Sequence, residues 1–136
     1  MPYPTEYSTA SADFDRFLDR VKDNAMLRTR HQAWQVARAV FLVFRDHLAT
    51  GQALRFADAL PPLFRAMLVE GLDAKQPGKP FGGRDALAGE VAAIRPDHNI
   101  ATPTTIAEVA RALRATVNPL DMERALAPLS EAARDY

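Results

Sequence analysis

His31, Arg38 and Arg45 stand at i, i+7 and i+14, with Trp34 among them. On a helix that spacing lays the three cations along one stripe, with the indole beside it. Guanidinium groups offer planar, paired donors that match a carboxylate or a phosphate. His31, Trp34, Arg38 and Arg45 are therefore the candidate ligand-binding set, for an anion or an acidic partner segment. The same stripe also has a structural use, with its cations paired to Asp46 or to carboxylates of the preceding helix.

The remaining chemistry is sparse. His47 falls near the end of the same helix, where a cation favours the helix dipole. His98 lies in "PDHN", but Asp97, His98 and Asn99 in one run do not wrap a single ion, and no HExxH-like spacing occurs. No metal site and no cofactor are expected. "FGGR" (Phe81 to Arg84) precedes a helix and could hold an anion at its start, or simply act as a hinge. There is no nucleophile elbow, phosphate-cradling glycine loop or Gly-x-Gly-x-x-Gly, so no catalytic residue is assigned.

"TTIAEVARALRATVNPLDMERAL" (Thr104 to Leu126) opens like the first helix of a helix-turn-helix DNA reader. The turn glycine is replaced by Arg114, and the second helix begins Leu120-Asp121-Met122-Glu123, setting carboxylates where phosphates would lie. The chain carries 17 basic and 17 acidic side chains. That balance leaves no basic block for nucleic acid or for an anionic membrane surface. The absence of cysteine removes disulfides and thiolate chemistry. The N-terminal stretch lacks the basic and apolar regions of a signal peptide. The longest strongly apolar run, Ala39 to Phe44, falls far short of the about 20 residues a spanning helix needs. A cytoplasmic protein is expected.

The elements that would carry these residues are helical. Residues 1–10 read as a flexible arm. Phe14, Phe17, Leu18, Val21 and Ala25 form one apolar stripe of a first helix capped by Thr9 or Ser11. A second helix runs from about Thr29 to Leu48, apolar on nearly every face through "AVFLVF" and hence central, with Thr50-Gly51 ending it. Gln52 to Leu60 form a third. Leu60-Pro61 breaks the chain, and Pro62 opens a new helix that Gly71 closes. "DAKQPGKPFGG" (Asp73 to Gly83) is turn chemistry throughout. Leu87, Val91 and Ile94 mark a short helix before Pro96. Thr105 with Glu108 predicts a capping box for a helix through Val117, and Asn118-Pro119 starts another. No run alternates with period two, so the fold class is all-α.

Two halves of this scheme overlay. "FLDRV" (17–21) matches "LAGEV" (87–91), "VARAVF" (36–41) matches "VARALR" (109–114), and "ALPPLF" (59–64) matches "ALAPLS" (125–130). The prolines recur where each half folds a short helix back over a long one. Arg111 takes the place of Arg38, which favours a structural role for that arginine. The expected architecture is a compact bundle of about seven or eight short helices in two pseudo-repeats, 11–72 and 84–136, joined by a linker at 73–83.

"RTRHQAWQVARAVFLVFRDHLATGQALRFADALPPLFRAMLVEGLD" carries a resemblance as well. With His31, Trp34, Arg38, Ala39, Val40, Phe41, Arg45, Asp46, Leu48, Ala57, Leu60, Pro61 and Glu70-Gly71 it resembles the bacterial domain-of-unknown-function family 2267. The resemblance implies a small, soluble helical protein of two repeats, and implies no activity, cofactor or catalytic residue.

From the residues, the expected function is a non-catalytic interaction or oligomerisation module with a protein partner or a second copy of itself. The alternative is a small-molecule or anion-binding protein with a pocket between the repeats, near Trp34, Arg38 and Arg45. Neither nucleic acid nor membrane is an expected partner.

Overall fold

The structure is a computed structural model that describes residues 4–94 and 100–136. Among these the chain is all-α, with nine helices: α1 (Thr5–Ser8), α2 (Ala10–Asn24), α3 (Arg30–Asp46), α4 (Thr50–Asp58), α5 (Pro62–Val69), α6 (Arg84–Ala93), α7 (Thr105–Thr116), α8 (Pro119–Leu126) and α9 (Glu131–Asp135). The count passes seven or eight because a single exposed turn, α1, forms close to the N-terminus.

Helix α3 is the axis. Its middle is apolar on every face from Ala39 to Phe44, and such a stretch must be covered all round. The cover comes from α2, α5, α6 and α7. Helix α2 lies across both α3 and α7, burying Phe17, Leu18 and Val21, and the Asn24 side-chain amide donates to the Glu108 carbonyl at 3.2 Å. Phe17 meets Phe64 of α5 at 4.8 Å between ring centres, and Phe14 meets the same ring edge-on at 5.2 Å. These offset and edge contacts are the favoured arrangements for aromatic rings.

Several helix boundaries follow from local chemistry. The Thr29 hydroxyl accepts from the Gln32 N–H, the Asn118 side chain from the Leu120 N–H, and Ser130 from the Ala133 N–H. Pro62 and Pro119 each open a helix, where a missing N–H costs nothing. Two boundaries differ from expectation. Thr50 and Gly51 do not end α3 but form the first turn of α4, because α3 already stops at Asp46. The Thr105–Glu108 capping box is absent: Thr104 is the N-cap, and the Thr105 hydroxyl accepts instead from the Thr102 N–H at 2.7 Å.

Helix α2 ends in a Schellman motif. The Leu27 N–H bonds to the Lys22 carbonyl and the Met26 N–H to the Asp23 carbonyl. The left-handed position of that motif usually holds glycine; here Met26 occupies it at φ 55°, with its side chain 90% exposed.

Residues 73–83 carry no helix, yet they are fastened down. The Gln76 side-chain amide donates to the carbonyls of Arg45 and Leu48, satisfying acceptors at the end of α3. The Thr50 hydroxyl donates to the Asp73 carbonyl and accepts from the Gln76 N–H. Gly78, at φ 81°, passes so close that an added Cβ would sit 2.7 Å from the Leu48 carbonyl carbon. The segment is a strap across the α3–α4 corner.

Candidate functional site

The structure separates the four residues of the stripe into two environments. His31, Trp34 and Arg38 form a continuous outer face on α3. The His31 and Trp34 rings lie 6.0 Å apart and nearly parallel, and the Arg38 guanidinium sits 5.9 Å from the centre of the indole. The Gln35 amide meets the His31 Nε2 at 2.9 Å. This face is a run of stacked side chains, exposed at His31 and half-buried at Trp34 and Arg38, and Trp34 packs partly against the core.

Arg45 points elsewhere. Its side chain is only 11% exposed, and Nη1 donates to the Leu68 carbonyl at 3.0 Å and also to the Glu70 carbonyl. These are acceptors at and just past the C-terminal turn of α5, where a helix presents unpaired oxygens and the negative end of its dipole. Nε is buried without a hydrogen bond, 3.6 Å from the Asp46 carboxylate. Arg45 is thus a clamp between α3 and α5, and its guanidinium is already engaged.

His47 caps α3 and is buried. Nδ1 faces the carbonyls of Lys79 and Pro80, at 3.1 and 2.9 Å, and Nε2 faces both Glu90 carboxylate oxygens, at 3.0 and 3.1 Å. Whichever nitrogen carries a proton, an acceptor meets it. The ring stacks on Phe81 at 4.7 Å, and Phe81 and Phe44 flank Tyr136. His47 therefore ties the strap to α6, beyond the dipole role its position suggested.

An apolar concavity lies on another side of α3. A cleft of about 70 Å³ opens between α3, α7, α8 and α9, and its walls are almost wholly apolar: Val40, Phe41, Ile106, Val109, Leu113 and Met122 among them. Tyr136 sits in its wall with the hydroxyl donating to the Val40 carbonyl at 2.9 Å. Burial pushes the Tyr136 phenol well above its ordinary range, with the charges of Glu90 and Asp46 adding. That hydroxyl stays neutral and committed to α3. Arg114 and Arg134 stand at the mouth, and both also border a wider depression of about 460 Å³ that shares Met122 and Leu126 with the cleft. Neither guanidinium has an ion pair or hydrogen bond among the described residues.

None of the four stripe residues borders this cleft. Arg114 and Arg134 escape a reading of sequence spacing because they meet only where α7 and α9 border one opening. "FGGR" places Gly83 as the N-cap of α6, while Arg84 donates to the Asp135 carbonyl at 3.2 Å. The Asp97–His98–Asn99 run lies outside the described residues. Among the described residues no group of three metal-ligating side chains occurs, and no helix is long and apolar enough to cross a membrane.

No curated protein matches the chain. A family model described as an uncharacterized conserved protein, DUF2267, matches residues 14–136, nearly its whole length, and the chain belongs to that family.

Proposed function

We propose that this chain is a non-catalytic binding protein whose ligand enters the cleft between α3, α7, α8 and α9. One observation carries the reading: an apolar opening lies beside the buried core, and open apolar concavities with a few polar groups at the rim are the usual form of small-ligand sites. Arg114 and Arg134 border this opening and Trp34, Arg38 and Arg45 do not, which supports a ligand site away from the stripe. The balance of 17 basic and 17 acidic side chains supports a partner other than nucleic acid. The recurring proline bends, at Pro61-Pro62 and Pro128, support two tandem helical halves with the strap between them.

Native mass spectrometry of gently purified protein tests the reading. A stoichiometric extra mass supports it and gives the ligand class. A bare protein whose Ile106, Val109 and Leu113 methyl signals also ignore millimolar butanol overturns it.

Self-association is a second reading, favoured by apolar side chains left outside. Helices α4 and α8 touch, and each presents an exposed leucine, Leu54 at 48% and Leu120 at 64%. A dimer in sedimentation that Leu54→Glu with Leu120→Glu dissociates supports it; a monomer at high micromolar concentration sinks it.

A further inference from the structure

We infer that the cleft takes a small amphipathic monocarboxylate, with its tail in the apolar throat and its carboxylate between Arg114 and Arg134. The inference rests on the binding reading above and names the ligand chemistry. Three features of the site select it.

The first is the throat. Its Val109 and Leu113 walls offer a tail no hydrogen bond, and the hydroxyl of Tyr136 is already donated to Val40. An apolar cavity of about 150 Å³ stays dry and takes a benzene ring, so a throat of about 70 Å³ suits a tail of roughly three or four carbons.

The second is the mouth. Arg114 and Arg134 are exposed and have no partner among the described residues, so their donors are open to a ligand. Guanidinium groups grip a carboxylate through paired hydrogen bonds, which neither an alcohol nor an amine can supply.

The third is the charge count. Glu123 borders the same outer depression as the two arginines and forms no ion pair with them. Two cations and one anion leave a single positive charge. One negative charge completes the site, whereas a phosphate dianion would oppose Glu123.

The test is a methyl-NMR titration of the full chain with pentanoate, pentanol and pentylamine, which share one tail and differ in the head. Pentanoate is expected to shift the Ile106, Val109 and Leu113 methyls and to bind about tenfold more tightly than pentanol, with pentylamine weakest. In the Arg114→Gln, Arg134→Gln protein, pentanoate should fall to the affinity of pentanol, and pentanol should be unchanged. Both positions are exposed, so the fold is preserved. Pentanol binding as well as pentanoate, or a preference that survives the double substitution, overturns the carboxylate inference and leaves the cleft a binding site. If none of the three probes shifts those methyls, the cleft reading itself falls and the inference with it.

Discussion

Arg45 on α3 donates from Nη1 to the carbonyl of Leu68 near the end of α5, 3.0 Å away, and so joins two helices through one guanidinium. Arg45→Ala strips the partner from that oxygen and from the Glu70 carbonyl. Urea unfolding should show a loss of about 1–3 kcal/mol, the range for leaving buried polar groups unpaired. Arg38→Ala removes only a stacked contact with Trp34 and should stay within about 0.5 kcal/mol. Equal losses at the two positions would put both arginines in one role.

Two backbone sites should respond in opposite directions. Gly78→Ala adds a Cβ 2.7 Å from the Leu48 carbonyl carbon and 2.8 Å from the Ala49 nitrogen, at a positive φ. The strap must then lift, at a loss of more than about 1 kcal/mol. Met26→Gly relieves a left-handed methionine that makes almost no contact, and should raise stability by about 1 kcal/mol. Thermal melts of both proteins read the two signs directly.

Leu60 is almost completely buried, at the Pro61 break between α4 and α5. Truncation to alanine removes buried methyls and leaves a cavity, at a loss of about 2–5 kcal/mol. A melting temperature that did not fall would mean that the α4–α5 corner collapses to fill the space.

The ion pair of Arg30 with Asp19 predicts a pH dependence. The Arg30 hydrogen bonds hold the Asp19 carboxyl below its ordinary value, with the guanidinium charge adding and desolvation opposing. A depressed carboxylate contributes fully above about pH 4, and the contribution is lost as pH falls through the lowered folded value. Stability measured from neutral to acid pH should therefore drop further in the natural protein than in Asp19→Asn. Both groups are exposed, so the difference is small and should shrink in high salt.

Which features could be read from sequence depends on how far away their partners lie. Thr29, Pro62 and Asn118-Pro119 were legible as helix starts because a cap or a missing N–H acts within a turn. The all-α class and the central α3 followed from helical spacing and an all-round apolar run. Thr50 misled because its hydroxyl serves Asp73 and Gln76, more than twenty residues on. His47 looked like a dipole partner, but Glu90 and the strap carbonyls reach it only in the folded chain. The seven-residue spacing of Arg38 and Arg45 puts both on one side of α3 but says nothing of α5, whose end captures Arg45. The arginines of the cleft come from two helices, and no local pattern pairs Arg114 with Arg134.

The strap also bears on the folding reaction. The entropy lost in closing a loop grows with its length, so the distance along the chain to the nearest anchored residue sets the penalty for docking α6 on α3. With Gln76 fixed to the carbonyls of Arg45 and Leu48, that distance is counted from the strap rather than from the end of α5. The strap thereby converts a distant encounter into a near-neighbour one. A chain that cannot seat Gln76 should collapse its second half more slowly, even under conditions where its final native state is fully populated.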